Sequence, residues 1–263
     1  MRAVPFVKAT ACGNDFLLIE AALVATDRAE FTRRICDRHR GVGADGVEWL
    51  APASGGADLE IHLINADGSA AEISGNGTRC VAAHWIADKK VERIRIQTDA
   101  GLKLCRLTRR ADPEFEFETE MGQATVAESF PLSLPSGNVQ GLPVSIGNPH
   151  YVMFVDEFAG DWQTQAAEIG RHPRFPQGVN VELVKVLARG AIEIRIFERG
   201  AGETQSSGTG SCASAVAAIA TGRALSPVEV RAPGGPQTVQ WENGEITLRG
   251  PARLICRGEF LCA

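Results

Sequence analysis

The sequence predicts an internally duplicated α/β protein, of the α+β type, in which most of the sheet is antiparallel. Short apolar or alternating runs dominate the chain, and glycine-containing turn signals separate them. One stretch that combines a strand with a glycine-rich helix start also occurs twice. With 263 residues, 44% of them hydrophobic, the chain can bury the core of one large domain or of two moderate ones.

The runs are too short for helices, and the turn signals between them are typical of antiparallel hairpins. Asp67-Gly68, Ala100-Gly101, Arg189-Gly190 and Asn243-Gly244 fit tight turns because glycine takes a positive φ without steric cost. The predicted strands cover residues 4–7, 16–19, 59–64, 94–98, 102–107, 144–146, 151–155, 181–186, 192–197, 228–230, 238–241 and 246–248.

Four stretches predict helices, and two of these have an unusual composition. The second and the fourth are rich in alanine and carry few charges, so we expect them to be buried on most sides and enclosed by sheet. The helices run from Thr26-Asp27 to about His39 with Gly41 as the stop, from Gly75 to about Ala87, from Trp162 to Gly170, and from Gly208 to about Thr221, ending at Gly222.

The internal repeat is the most informative feature of the chain. Shifted by 133 positions without a gap, residues 58–77 fall on residues 191–210. The upstream strands match, and Ser74-Gly75-Asn76-Gly77 falls on Ser207-Gly208-Thr209-Gly210. We therefore predict two similar halves that face each other, with the proline- and glycine-containing stretch 122–143 marking the passage into the second half.

Composition excludes several classes of partner. A formal net charge of −5 and no cluster of lysine and arginine disfavour nucleic acid. No apolar run approaches the roughly 20 residues that span a bilayer. The seven cysteines are scattered, without a Cys-x-x-Cys pair, and indicate neither a disulfide framework nor a metal site. We expect a cytoplasmic protein with a small-molecule partner.

The repeated motif predicts an anion site at each of two helix starts. The first N–H groups of a helix have no intrahelical acceptor, and its dipole makes that end partly positive. Two such ends would hold one carboxylate and place Ser74 and Ser207 on opposite faces of the attached carbon, which suits stereoinversion by proton transfer. For one motif alone, simple helix capping by serine is the better explanation. The repetition favours the functional one.

Eight motifs, in order along nearly the whole chain, resemble those of the diaminopimelate epimerase family, which works without a cofactor. They are Gly13-Asn14-Asp15-Phe16, Gly41-Val42-Gly43-Ala44-Asp45-Gly46, Asn65-Ala66-Asp67-Gly68-Ser69, Gly75-Asn76-Gly77 with Arg79-Cys80, Gly147-Asn148-Pro149-His150, Gly178-Val179-Asn180-Val181, Glu198-Arg199-Gly200 with Gly202-Glu203-Thr204, and Ser207-Gly208-Thr209-Gly210.

The resemblance implies two pseudo-symmetric halves, each a mostly antiparallel sheet wrapped around a central helix. Residues 1–119, with a returning C-terminal strand at 251–263, would form one half and residues 120–250 the other. The active site would lie in the cleft between them, and the family also implies a homodimer. Its reaction interconverts L,L- and meso-diaminopimelate in lysine biosynthesis by two-base proton transfer at Cα, without a cofactor or metal.

The resemblance also implies a set of site residues. Arg199 would take the distal carboxylate of the substrate, while Glu198 and asparagine side chains meet its ammonium groups. Plainer interpretations stay open: Asn65 and Asn148 as turn residues, and Glu198-Arg199 as an exposed ion pair. The predicted catalytic residues are Ser74 and Ser207, and the predicted substrate-binding residues are Asn14, Asn65, Gly75, Asn76, Asn148, Asn180, Glu198, Arg199, Gly208 and Thr209. His150 is as well explained by a structural role, and Asp15 and Asp67 are assigned to loop structure.

The chain departs from the family pattern at the two acid/base positions. The family has cysteine before each glycine-rich helix start, where this chain has Ser74 and Ser207. A thiol titrates near pKa ~8.5, whereas a serine hydroxyl is a poor base unless a neighbour takes its proton. Cys80 and Cys212 lie further along the helices and are not expected to substitute for them.

Three explanations fit the serines: an engineered double replacement, a natural branch with slower epimerisation or a related proton transfer, and binding of an amino acid without turnover. The leading hypothesis is an epimerase acting on diaminopimelate. A related racemase, isomerase or dehydratase acting on another amino or carboxylic acid is the second, and an amino-acid-binding protein the third. A nucleotide site is disfavoured because neither glycine motif lies in a parallel βαβ unit.

Overall fold

The computed structural model describes residues 2–25, 27–158 and 160–262. The chain divides into two compact units. The first extends to Thr119 and resumes at Gly250, and the second is Glu120–Arg249. Within the described part of the chain, no helix is long and apolar enough to cross a membrane.

The first unit is built mainly of antiparallel strands. Pairs β2–β3 and β4–β6 in the following list are parallel, and the neighbouring pairs around them are antiparallel. Its elements are β1 (Arg2–Ala11), β2 (Asn14–Glu20), α1 (Arg28–Cys36), β3 (Gly46–Ala51), β4 (Leu59–Asn65), β5 (Ala70–Ala71), α2 (Gly75–Ala87), β6 (Arg93–Thr98), β7 (Gly101–Ala111) and most of β8 (Glu114–Gln123).

Helix α2 lies inside this unit rather than on its surface. Its residues from Cys80 to Ala83, together with Ile86, are fully buried among apolar side chains of β1, β4, β6 and β8. Small side chains allow such close packing on every side, because alanine and cysteine keep the helix thin. The enclosed helix that the composition predicts is therefore confirmed.

The second unit repeats this arrangement. Pairs β12–β13 and β14–β16 are parallel, as the corresponding pairs are in the first unit, and the others are antiparallel. Its elements are β9 (Thr125–Val126), β10 (Phe130–Leu134), β11 (Gly137–Ser145), β12 (Pro149–Phe154), α3 (Trp162–Gly170), β13 (Asn180–Ala188), β14 (Ala191–Glu198), β15 (Gly202–Thr204), α4 (Gly208–Ala220), β16 (Val228–Ala232), β17 (Gly235–Glu242) and the start of β18 (Glu245–Cys262).

Helix α4 is the enclosed helix of the second unit. Its residues from Cys212 to Ala218 are buried, and they pack on apolar side chains of β11, β12, β14, β16 and β17. The mostly antiparallel α/β fold, with one central helix in each unit, is thus confirmed. Asn243 (φ 52°) and Gly244 (φ 86°) form the predicted tight turn between β17 and β18.

The predicted first helix extends too far at its C-terminal end. Asp27 caps α1 by accepting the N–H of Glu30 at 3.0 Å. The helix ends at Cys36 instead of His39, because Asp37 leaves helical geometry and its carboxylate accepts the N–H groups of the next turn. Thr26, the other predicted start residue, lies outside the described residues. The other three helices match their predicted ranges within one residue.

Several strands are absent from the prediction, and in two of them, β3 and β8, charged residues interrupt the pattern. Strand β3 is buried along most of its length and contains Glu48, which breaks the apolar run that would have indicated it. Strand β8 alternates phenylalanine with glutamate, and the stretch 122–143 contains β9, β10 and most of β11 instead of a plain connection. Two predicted strands end one residue early, before Ile146 and Val155.

Candidate active site

The first unit places Ser74 at the start of its central helix. Ser74 has extended backbone geometry, and its Oγ accepts the N–H of Gly77 at 3.1 Å. Its carbonyl accepts the N–H of Thr78 at 2.8 Å, which begins the helical ladder. The first N–H groups of α2, those of Gly75 and Asn76, therefore precede the ladder at the positive end of a helix of 13 residues. This arrangement can hold an anion.

The second unit repeats this geometry at Ser207. Its Oγ accepts the N–H of Gly210 at 3.2 Å, and its carbonyl accepts the N–H of Ser211 at 2.9 Å. Ser207 is buried, at 5% exposure, whereas Ser74 is half-buried. Its hydroxyl donates to Oε2 of Glu198 at 3.0 Å. The half-buried Glu198 carboxylate is thus placed to accept the serine proton, a contact that no sequence neighbour of Ser207 could indicate.

In the first unit, Asn14 and Asn76 are joined at the helix start. The Asn76 side chain donates to Oδ1 of Asn14 at 2.7 Å and accepts from the fully buried Arg79 at 2.5 Å. Asn14 also donates to Asp45 at 3.2 Å. These bonds fix the two asparagines next to Ser74. Asn65, by contrast, donates to Ser69 Oγ at 3.0 Å within its own turn.

Two aspartates of the first unit, Asp15 in β2 and Asp67 in the loop after β4, have structural partners. Asp15 forms ion pairs with Lys8 and Arg38, each at 2.8 Å, which hold its pKa below the usual range despite partial burial. Asp67 accepts the N–H and hydroxyl of Ser69. Asp67 therefore orders its loop, as predicted. The assignment of Asp15 to a loop is wrong, because Asp15 is the second residue of β2 and ties that strand to Lys8 of β1 and to Arg38.

In the second unit, Asn148 is linked to the helix start and to a buried histidine–glutamate pair. Its side chain donates to Thr209 Oγ1 at 3.3 Å, and its Oδ1 lies 3.0 Å from Nε2 of His150. The other ring nitrogen of His150 lies 2.7 Å from Oε1 of Glu182, and both side chains are fully buried. His150 is therefore one link of a polar chain that ends at the first turn of α4.

Asn180 and Arg199 lie together at the edge of the same unit. The Asn180 Oδ1 atom accepts the backbone N–H of Arg199 at 2.9 Å. The exposed Arg199 side chain donates through Nη1 to the carbonyl of Gln177 at 2.8 Å and lies against Gly178. That bond uses one of the five N–H donors of the guanidinium, so the group can still take a carboxylate.

Two buried glutamates, Glu48 on β3 and Glu182 on β13, were missed from the sequence. The carboxyl of Glu48 lies in the space left by the hydrogen side chain of Gly77: its Oε1 is 1.9 Å from where a Cβ would stand. The corresponding distance from Glu182 to Gly210 is 2.9 Å. A glutamate inside an otherwise apolar run, as at Glu48, is the sequence pattern that could have indicated a buried carboxyl.

The surroundings of the two carboxyls shift their pKa values upward. Burial, and secondarily the charge of Asp99, raises the pKa of Glu48 to about 8. Burial also raises the pKa of Glu182, although His150 opposes the shift. Neither thiol of the two central helices replaces the serines, since Cys80 and Cys212 are fully buried inside their units. Among the described residues, no cluster of ligands able to hold a metal ion is found.

The raised pKa of Glu48 predicts that the stability of the fold depends on pH. The folded state keeps the Glu48 proton up to about pH 8, whereas the ordinary pKa is 4.5. The folded state thus binds more protons in that interval, and the free energy of unfolding falls as pH rises, by at most about 1.4 kcal/mol per pH unit. Urea unfolding across this range should show a shallower decline in Glu48→Gln than in the native chain. The exposed Glu92→Gln serves as control, and equal slopes in all three would contradict the prediction.

Comparison with known proteins places these features in one family. The family model described as diaminopimelate epimerase matches residues 6–127 and 143–255. The chain is 37% identical to the diaminopimelate epimerase of Pelotomaculum thermopropionicum over 97% of its own length and 98% of the relative. It is 36% identical to diaminopimelate epimerase 1 of a Nostoc species, with 98% and 100% coverage.

A solved structure supports the same fold at low sequence identity. The phenazine biosynthesis protein of the PhzF family from Bacillus anthracis matches with a TM-score of 0.75 and 14% identity, and each chain is covered completely. At this identity the likeness concerns the fold alone.

Proposed function

This chain belongs to the diaminopimelate epimerase family and is an isomerase, and from that premise we propose that it interconverts L,L- and meso-diaminopimelate by two-base proton transfer at Cα. One observation carries the proposal: each unit begins its central helix with a serine whose Oγ accepts the N–H of a glycine three residues on. The two motifs are chemically equivalent, so they suit a reaction that needs one proton-transferring group for each face of a carbon.

Helix starts supply the stabilisation that such a reaction requires. Removing the α-proton leaves a carbanion whose negative charge spreads into the α-carboxylate. The amide ends of α2 and α4 are suited to bind that carboxylate, through Gly75 and Asn76 in one unit and Gly208 and Thr209 in the other. Because these dipoles are fixed by the helices, they need no reorganisation as the charge develops.

The remaining predicted site residues suit a diamino dicarboxylate. Arg199 offers a planar fork for the distal carboxylate, and the oxygens of Asn14, Asn65, Asn148 and Asn180 suit ammonium groups. In this proposal Glu198 acts mainly on Ser207, whose hydroxyl it accepts, and its remaining lone pairs are available to an ammonium group. Proton transfer between serines and Cα needs no cofactor.

A serine hydroxyl is a poor base by itself, and the hydrogen bond between Ser207 and Glu198 supplies the proton acceptor that it needs. A serine hydroxyl becomes an effective base when a neighbouring group takes its proton as it reacts. The carboxylate at 3.0 Å is within the range for such a transfer. The chain can therefore use serine where its family uses cysteine. A homodimer and a cytoplasmic location stay predictions.

The test is incubation with L,L-diaminopimelate in heavy water. We expect deuterium to enter at Cα and the meso isomer to form, and the double variant Ser74→Cys/Ser207→Cys to react faster, because a thiol has a pKa closer to neutrality. Activity in the double variant alone would favour a binding site without turnover. If neither form reacts, the substrate assignment is wrong. Proline and hydroxyproline, run in parallel, test other amino acids.

A further inference from the structure

The duplicated fold allows the acid/base groups of the two units to be compared position by position. On the paired parallel strands, Glu48 faces Leu18 in the first unit and Glu182 faces Val152 in the second. Each glutamate also lies against the glycine whose N–H the capping serine accepts, Gly77 or Gly210. The two carboxyls therefore occupy equivalent places beneath equivalent helix starts.

The partners of these carboxyls are not equivalent. Glu182 is hydrogen-bonded to the ring of His150, which lies two residues before Val152 on β12. The equivalent residue on β2, two residues before Leu18, is Phe16. In the 133-residue repeat, Glu198 of the second unit corresponds to Asn65 of the first. Glu198 accepts the hydroxyl of Ser207, whereas the side-chain amide of Asn65 donates to Ser69 within its own turn. The second unit thus carries a proton acceptor next to its serine, and the first unit has an amide at the equivalent position of the repeat.

Glu48 is a buried acidic group of the first unit beside the start of α2. It is fully buried, and neither of its carboxyl oxygens has a hydrogen-bond partner. The Cβ position of Gly77 lies 1.9 Å from Glu48 Oε1 and 3.3 Å from Ser74 Cβ, so both side chains border the same space. A buried carboxyl without a cation holds its proton, because the charged form would lose its hydration without compensation.

We propose that Glu48 is a positioning residue that stores the proton for Ser74, so that Ser74 and Ser207 have unequal roles: Ser207 with Glu198 accepts a proton, and Ser74 with Glu48 donates one. This inference rests on the proposed function, since it assumes that both serines act on one α-carbon. It adds Glu48 to the residues of the reaction and assigns the direction of proton transfer at each serine.

The proposed transfer balances in protons and charge. Ser207 Oγ takes the proton of Cα while its own hydroxyl proton passes to the Glu198 carboxylate. The carbanion takes the hydroxyl proton of Ser74 on its other face, and the proton of Glu48 replaces it on Ser74 through one bridging water. Both serines end as hydroxyls, Glu48 ends ionised and Glu198 ends protonated. Proton exchange with solvent restores the starting state, in which Glu48 is protonated and Glu198 is ionised. The opposite isomer reacts from the state in which Glu48 is ionised and Glu198 is protonated.

The groups that face Glu48 favour the stored proton. On α2 the thiol of Cys80 interacts electrostatically with Glu48, and burial raises the pKa of that thiol. In the turn between β6 and β7 lies the carboxylate of Asp99, which disfavours a second negative charge. The strands on either side present Leu18 and Leu63 at the paired positions. Burial is the main reason that the pKa of Glu48 rises to about 8.

The inference predicts that Glu48→Gln separates proton exchange from epimerisation. Glutamine keeps the shape of the side chain but cannot deliver the proton, so epimerisation should fall at least about tenfold. Ser207 and Glu198 should still exchange the α-proton of the isomer that faces them, and deuterium should enter that recovered substrate in heavy water. Glu48→Asp, which keeps a carboxyl, should restore part of the epimerisation, and Glu92→Gln should match the native chain.

The outcomes distinguish this inference from the proposed function. If the native chain epimerises and Glu48→Gln does so equally, or if exchange and epimerisation fall together, the proton store is wrong. If the native chain neither exchanges nor epimerises, the proposed function fails and the relay fails with it. An infrared spectrum at neutral pH gives a readout independent of activity: a carboxylic-acid C=O band present in the native chain should be missing in Glu48→Gln. An unchanged spectrum would overturn the inference.

Discussion

Replacing Ser207 by alanine is expected to lower the rate of epimerisation by about 10²- to 10⁴-fold, the usual contribution of a positioned acid/base group. The hydroxyl is the only part of the side chain that alanine lacks, and it donates to Glu198 at 3.0 Å. Without it, the carboxylate has no atom through which to receive the α-proton in the proposed reaction. Formation of the second isomer from a pure one, followed by polarimetry or chiral chromatography, measures the loss.

The same replacement has a smaller, separate effect on stability. Ser207 caps α4 by accepting the N–H of Gly210, and loss of a serine cap costs about 1 kcal/mol. Ser136→Ala is a matched control, because Ser136 also donates to a glutamate, Glu168, but at an exposed site on the same unit. It should leave the rate unchanged. Retention of more than about a tenth of the native rate by folded Ser207→Ala would contradict the assigned role.

Replacing His150 by phenylalanine is expected to lower the free energy of unfolding by about 3–5 kcal/mol, the usual cost of removing one partner of a buried acid–base pair and leaving the other without its hydrogen bond. His150 Nδ1 and Glu182 Oε1 are 2.7 Å apart, with both side chains fully buried. Phenylalanine is what the equivalent place in the first unit holds, at Phe16, so the ring itself suits this position of the fold. Urea unfolding at neutral pH measures the change.

The sign of the pH dependence follows from Glu182. Without His150, burial and the charge of Glu198 act together on this carboxyl and its pKa rises further, since the histidine is the group that opposes the shift. The folded variant then binds a proton that the unfolded chain releases, so its stability is present at low pH and is lost as pH rises. The deficit relative to the native chain should be smallest in acid.

Two further variants isolate the contribution of the His150–Glu182 pair. His150→Phe/Glu182→Gln removes the buried charge and should recover part of the lost stability, because a neutral amide costs less to bury than a carboxylate. His150→Gln keeps a hydrogen-bond donor and should lose less than His150→Phe. A loss of less than about 1 kcal/mol in His150→Phe, independent of pH, would show that the pair is not a structural element of the second unit.

Local patterns predicted much of the fold because they act over a few residues. The ranges of α2 and α4 follow from a serine cap, glycines in the first turn and an alanine-rich interior, which all lie within one helix. The turn at Asn243-Gly244 follows from two residues that adopt positive φ. Strand β3 escaped prediction because Glu48 breaks an apolar run, and only the fold shows that this carboxyl is buried.

The sequence by itself determined the duplicated α/β architecture, the family and the two serine-capped helix starts, since each depends on residues close together in the chain or on the order of motifs. The tertiary structure decided which groups serve those serines. Glu198 meets Ser207 and His150 meets Glu182 only because strand pairing brings together residues 9 and 32 positions apart. Hydrogen bonds between distant residues depend on strand register and burial, which no local pattern specifies.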